Sequence, residues 1–259
     1  MKKILFFILA SLVFNIACIA NINAQDDRLD DFEFENEEID ASAGYFSLGL
    51  GVTGNLLFMN YDDINSKYLA PKSLKDFDGP LFPLGIEFFT ALPHNLRLGV
   101  TYQNVSKLRD AEAAMEDTEA KLKYTSELSN NMTGVVFSYA LLPFSSFAVA
   151  PGIGLNFGKM TLNNFTSPTS VEFGETTNYY NEQIKYSYWA VEPQLNIEYA
   201  VTSLLMLRLG VSYLIDFDNP FADNAWSING GNAYNNVPST MMPQGLNVKF
   251  GVFIGLFNY

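Results

Sequence analysis

The chain has 259 residues, of which 17% are charged and 15% aromatic, and its formal net charge is −13. An acidic excess of that size excludes a nucleic-acid partner. So few charges among so many rings is also unusual for a soluble domain, and Phe and Tyr favour strands and membrane interfaces.

The first segment reads as an export signal. Lys2 and Lys3 make a basic start, residues 4–14 form an apolar run, and the small residue Ala24 precedes Gln25-Asp26-Asp27. This pattern predicts a secretory signal peptide over 1–24, with Ala20 as a second candidate cleavage position. The run is too short for a retained helical anchor. Cys18 invites a lipoprotein reading, but Asn15-Ile16-Ala17 lacks the leucine that such a signal carries. Cleavage would remove the chain's single cysteine, leaving no disulfide and no thiol chemistry. Residues 25–43 follow with nine acids against one base, Arg28, and read as an acidic, solvated, disordered segment.

From residue 44 to 259 the signal is alternation. No stretch there is apolar for 18 residues, so no membrane helix is expected. Large apolar residues instead occupy every second position in eight segments of about ten residues, the length that crosses a bilayer as a tilted strand. The first holds Phe46, Leu48, Leu50 and Val52, and the second Phe82, Leu84, Ile86, Phe88 and Leu92. Next come Leu96–Tyr102, then Val135–Leu141 and Phe147–Phe157. The last three run from Trp189 to Tyr199, Leu205 to Ile215 and Leu246 to Leu256. Pro93-His94-Asn95, Pro143-Phe144-Ser145-Ser146 and Thr202-Ser203 predict tight turns. The other connections, roughly 59–80, 106–130, 160–184 and 217–243, are long. Short turns at one end and long loops at the other predict an all-β fold. The fold expected is an eight-stranded antiparallel up-and-down transmembrane β-barrel with short periplasmic turns, long extracellular loops and both termini periplasmic.

The opposite face decides which side meets lipid. It carries many glycines, among them Gly49, Gly51, Gly134 and Gly158, and the charges Glu87, Arg97, Glu192, Glu198, Arg208, Asp216 and Lys249. Glycines make room inside a narrow barrel. A basic charge on the apolar face would cost about 2–4 kcal/mol at mid-bilayer. The apolar face is therefore expected outside. Pro151 and Pro193 lack an N–H donor and should each mark a bulge or a gap in the ladder. Rings cluster at two levels: Phe144, Phe147, Tyr199, Phe257 and Tyr259 near the short turns, and Tyr124, Tyr186, Tyr188, Trp189, Tyr213 and Phe217 toward the long loops. They predict interfacial girdles.

In the last segment, Lys249, Gly251, Ile254 and Leu256 resemble the C-terminal assembly signal of bacterial outer-membrane barrels, although the chain continues to Phe257-Asn258-Tyr259. With the strand count and loop layout, residues 44–259 resemble the OmpA/OmpX-like barrels, without the peptidoglycan-binding domain that OmpA carries. The resemblance implies a diderm outer membrane, contact with its lipid and lipopolysaccharide, and insertion by the barrel-assembly machinery. It implies no ligand.

The residues give little sign of catalysis. The one histidine, His94, sits in a predicted turn on the periplasmic side. The two eight-strand lipid A-modifying enzymes that this fold resembles use a His with a Ser at the outer leaflet. No His or Cys cluster suggests a metal, and no pattern implies a cofactor. Asp62-Asp63, Asp76, Asp78, Asp216, Asp218 and Asp223 match no calcium-loop spacing and read as solvated acids. Glu198 and Arg208 flank the Thr202-Ser203 turn and should face each other, whereas Glu87 and Arg97 should be offset. A packed network that satisfies buried charge is preferred to an ion path. Residues 109–123 are rich in helix formers, with Asp117–Lys121 and Glu119–Lys123 at helical spacing, and read equally as a short helix over the mouth or a flexible loop. The 217–243 loop, with Trp226 and Tyr234, suits an extracellular protein or glycan contact. The function expected is a non-enzymatic surface protein serving adhesion, host contact or envelope integrity. A narrow channel for ions or small solutes is the alternative, with a lipid A-modifying enzyme behind it.

Overall fold

The computed structural model describes residues 45–72, 74–114, 121–168, 180–219, 221, 225–233, 235–238 and 241–258. The chain divides into two compact units, Met1–Ala43 and Gly44–Tyr259, and every described residue belongs to the second. The expected signal peptide and acidic segment lie outside the described residues, as do Tyr259, Tyr234 and Asp223.

The fold is all-β. Its strands are β1 (Phe46–Met59), β2 (Leu84–Ala91), β3 (Leu96–Ala114), β4 (Lys121–Tyr139), β5 (Leu141–Phe144), β6 (Phe147–Pro168), β7 (Tyr180–Thr202), β8 (Leu205–Asp218), β9 (Trp226–Ile228), β10 (Asn232–Ala233) and β11 (Gly245–Asn258). All pairings are antiparallel within one eleven-stranded sheet. Starting at β1, the ladders run through β2, β3, β4, β6, β7, β8 and β11, and β11 pairs β1 again. The short β5 adds to β6, β9 adds to β7, and β10 adds to β9.

Burial runs opposite to that of a soluble protein. Val52, Leu84 and Ile254 are 64%, 65% and 65% exposed, while Glu198, Glu192 and Arg97 are 0%, 1% and 3% exposed. The period of two explains it. Successive side chains point to opposite faces, so one face collects the bulky apolar residues and the other the small and polar ones. Space on the buried face is made by glycine. A Cβ on Gly49 would lie 2.8 Å from the Phe89 ring, and one on Gly158 would collide with Tyr188.

Both prolines sit where the ladder is interrupted. The β7–β8 pairing passes from Val191↔Ile215 to Gln194↔Ser212, skipping Pro193. Pro151 lies between the last β4 partner, Gly152, and the β5 partner Val149, while its ladder to β7 runs on through Pro151↔Leu195. A residue without an N–H is tolerated at such breaks.

The chain departs from expectation above the long-loop ends. The segments 106–130 and 160–184, expected as loops, are mostly ladder: β3 and β4 pair out to Ala114↔Lys121, and β6 and β7 out to Thr166↔Tyr180. No helix forms over 109–114 or 121–123. Cross-strand contacts take the place of helical ones: Lys123 pairs with Asp110 at 3.1 Å, and the Thr125 hydroxyl donates to Asp110 at 2.7 Å. An isolated short helix is marginal in water, whereas a hairpin already zipped below extends cheaply. Residues 115–120, including Asp117 and Glu119, lie outside the described residues.

The 59–80 connection is also not an open polar loop. A short π-helical turn, Ile64–Leu69, buries Ile64, Tyr68 and Leu69. These pack with Phe77, Leu81, Leu128, Leu162, Ile184, Tyr186 and Trp226 in one apolar cluster.

Candidate functional site

The inward face of β7 gives the order of the interior. Read from the short-turn end, its buried residues are Ala200, Glu198, Asn196, Glu192, Ala190, Tyr188, Tyr186, Ile184 and Glu182. At the bottom, Ala200 joins Phe89, Met206, Phe253 and Phe257 in a small apolar cluster. At the top, Tyr188, Tyr186 and Ile184 belong to the large cluster under the 60–81 connection. A polar belt lies between.

The lower half of that belt is a four-membered charge cluster. Glu198 and Arg208 are direct partners across the β7–β8 ladder, and Arg208 Nε donates to Glu198 Oε1 at 2.8 Å. Arg97 Nη1 donates to the other oxygen, Oε2, at 2.6 Å. Arg208 Nη1 also donates to Glu87 Oε1 at 2.5 Å. Glu87 and Arg97, expected as an offset pair, are thus joined only through Glu198 and Arg208. The faces of the guanidinium groups are covered too. Arg97 Cζ lies 4.1 Å from the Phe89 centroid, and Arg208 Cζ lies 4.2 Å from that of Phe253. Sequence reasoning missed Phe89 and Phe253. Their signal was a ring at an inward position directly opposite glycine: Gly49↔Phe89 and Gly51↔Phe253 are register partners.

The upper half centres on Glu192. Its oxygens accept from Lys249 at 2.7 Å, Ser212 at 2.7 Å, Asn156 at 3.0 Å and Asn247 at 3.2 Å. Lys249 Nζ also donates to Gln194 Oε1 at 2.9 Å. Higher still, Tyr186 donates to Asp216 Oδ2 at 3.0 Å, and Tyr188 to Asn130 Oδ1 at 2.7 Å. Glu87, Glu192 and Glu198 thus each meet a cation, which buried charge requires, whereas Asp216 is held by the Tyr186 hydroxyl at one oxygen and its Oδ1 is buried without a partner. Within the belt, a cavity of about 10 Å³ touches Asn55, Glu87, Gln194, Asn196, Arg208 and Lys249. That is room for about one water.

The two other residues of the C-terminal pattern, Ile254 and Leu256, are exposed on the apolar face, and Gly251 faces inward beside Phe253. Tyr186, Tyr188 and Phe257, expected as girdle rings, are instead buried inside. Their positions in β7 and β11 have inward parity, so Tyr186 stacks on Tyr188 at 5.4 Å and on Trp226 at 4.2 Å. Trp189, Tyr199, Tyr213 and Phe217 face outward, and Trp189 packs on Phe217 at 5.1 Å.

His94 is exposed in the β2–β3 turn at φ 62°, beside Asn95 at φ 60°. Two consecutive left-handed residues suit a two-residue hairpin turn. The acidic loop residues are dispersed: Asp63 pairs with Lys67 at 2.7 Å, Asp78 with Arg109, and Asp216 is part of the belt. Among the described residues, no three His, Cys, Asp or Glu side chains gather as a metal site would require. Outside the strands, burial pushes the Tyr61 phenol up to about 12.

No family model matches the chain, and no curated protein does. Solved structures resemble it at low identity. Ail, the attachment invasion locus protein of Yersinia pestis, crystallised with the heparin analogue sucrose octasulfate, is 8% identical with a TM-score of 0.37 over 82% of this chain and 97% of that one. A major outer membrane protein from Thermus thermophilus is 11% identical with a TM-score of 0.44, covering 80% and 98%. Outer membrane phospholipase A from Escherichia coli is 10% identical with a TM-score of 0.22, covering 80% and 92%. Likenesses this slight define no family.

Proposed function

We propose that residues 44–259 form a closed eight-strand transmembrane barrel of a diderm outer membrane, which presents its long hairpins and cap as a non-enzymatic, non-conducting surface. The observation that carries this reading is the reversed burial. A continuous band of exposed Val, Leu, Ile and Phe surrounds a buried belt of Glu, Arg and Lys, the arrangement that hydrocarbon outside and a packed interior demand. The return of the ladders from β11 to β1 supports closure, since a membrane-spanning sheet tolerates no free edge.

In this reading residues 1–24 are the export signal, 25–43 are an acidic periplasmic segment, and the short turns face the periplasm. Lys249, Gly251, Ile254 and Leu256 serve as the signal read by the barrel-assembly machinery. The seven inward charged residues, Glu87 to Lys249, are structural. The contents of the interior weigh against a channel: two apolar clusters flank the belt, and its cavity holds about one water. The extended hairpins offer the surface for an extracellular protein or glycan. Planar-bilayer recording tests the non-conducting part. Protein that inserts should show no steady openings, and steady large openings would contradict it.

A further inference from the structure

We propose that Asp216 and Asp218, with the Tyr186 hydroxyl beside them, hold a hard divalent cation of the calcium type at the long-loop end of the interior. The site lies above the ion-paired belt and uses none of its charges.

Charge matching singles out Asp216. The other inward acids, Glu87, Glu192 and Glu198, meet Arg208, Lys249 and Arg97. Asp216 is only 7% exposed, yet among the described residues no Lys, Arg or His pairs with it or with Asp218. The one side-chain donor that reaches Asp216 is the Tyr186 hydroxyl, at 3.0 Å from Oδ2, and Oδ1 is buried without a partner. The nearby sequence offers no replacement. Residues 115–120, 169–179, 222–224 and 239–240 of the long connections, which lie outside the described residues, contain no Lys, Arg or His. A buried carboxylate without a cation is costly. The charge that completes this one therefore comes from solution.

Local structure supplies the second carboxylate. Residues two apart on a strand share a face, so Asp218 stands one step above Asp216 on β8. The Tyr186 hydroxyl lies within reach of both carboxylates. Asp218 is exposed and opens the group to water. The ligands are thus a buried, unused carboxylate oxygen, a wet carboxylate and a phenol oxygen. An all-oxygen set suits calcium rather than zinc or copper. Two carboxylates balance a double positive charge. No third acid joins them, so water fills the rest of the shell. The Kd is accordingly on the order of 10⁻⁴–10⁻³ M, the range of extracellular calcium modules.

Filling the site braces the mouth. Tyr186 stacks on Trp226 at 4.2 Å, and the two are partners in the β7–β9 ladder. A cation that fixes the Tyr186 hydroxyl therefore fixes the ring on which β9 rests.

The test uses the full-length protein, stripped with EDTA, in phosphatidylcholine vesicles. Terbium takes oxygen ligands and is excited through neighbouring Trp and Tyr rings, so its luminescence reports the site and Ca²⁺ competes for it. Asp216→Asn removes the charge and keeps the size. Asp62→Asn removes an exposed acid of another loop. Folding is read separately by heat-dependent gel mobility. The expected result is terbium emission from the wild type and Asp62→Asn that Ca²⁺ displaces, with emission about tenfold weaker in Asp216→Asn. Ca²⁺ should also raise the unfolding temperature of the wild type and leave that of Asp216→Asn unchanged. In EDTA, Asp216→Asn should unfold no earlier than the wild type, because it carries no unmatched charge. A carboxylate kept only for its hydrogen bond to Tyr186 would instead lose stability on that change with or without Ca²⁺, and that result overturns the site. Equal emission from folded Asp216→Asn and wild type overturns it too, as does terbium that Ca²⁺ fails to displace.

Discussion

Glu198 stands between two arginines, bonded to Arg208 through one carboxylate oxygen and to Arg97 through the other, and it is fully buried. Removing it leaves two guanidinium groups in a dry interior with Glu87 as their remaining partner. Breaking a buried pair by deleting one member costs about 3–5 kcal/mol. Glu198→Ala should therefore destabilise the protein by about that much in urea unfolding from lipid vesicles. Arg97→Met should cost less, because Glu198 keeps Arg208. Equal, small losses for both would mean that the cluster is solvated.

The Gly158–Tyr188 contact predicts a size effect. A side chain on Gly158 collides with the Tyr188 ring, whose hydroxyl is held by Asn130. Gly158→Val should cost about 1–3 kcal/mol through overpacking. Tyr188→Ala added to it should cost less than the sum of the two changes, because each relieves the other. A double-mutant cycle read by urea unfolding checks this, and simple additivity would argue against the packing described.

The exposed band predicts a depth profile. Val52, Val252 and Leu207 lie side by side on β1, β11 and β8, the two valines halfway along their strands. Val252→Arg should cost about 2–4 kcal/mol in folding into vesicles, and Leu246→Arg, nearer the rim, about 0–1 kcal/mol. A flat profile along β11 would contradict a bilayer at that face.

The β3–β4 hairpin predicts an acid-side effect. The hydrogen bond from Thr125, with Lys123 beside it, holds the Asp110 carboxyl below the usual carboxylate range. A depressed carboxylate stabilises the folded state above its unfolded pKa, and that contribution is lost as pH falls through its folded value. NMR titration should show Asp110 protonating below an ordinary aspartate, and Thr125→Ala should move the titration upward. An unchanged titration in that variant would remove the hydrogen bond as its cause.

The alternation from Phe46 to Leu256 was enough to place the turns, the Glu198–Arg208 pair and the ladder gap at Pro193, because a period of two assigns each residue a face without tertiary knowledge. The same parity, applied to Tyr186, Tyr188, Phe89 and Phe253, would have put these rings inside. Reading rings as girdle by position along the chain obscured that. The zipped hairpins above the band were less legible. Helix formers in 109–114 compete locally with strand, and only cross-strand partners such as Asp110 and Lys123 decide between them. The cap was hidden for a similar reason. Ile64, Tyr68 and Leu69 find their apolar partners more than 50 residues away in β4, β6 and β7, a separation that no local pattern reports.

The most direct test of the inside-out arrangement uses nitroxide labels at neighbouring positions of β11. Cys18, the chain's one cysteine, is first replaced by Ser, and single cysteines are then placed at Val252 and at Phe253 for labelling in vesicles. The account predicts high collision with dissolved oxygen and almost none with a water-soluble nickel chelate at 252, and little of either at 253. Nickel access at 252 equal to that of a water-exposed loop label would contradict it.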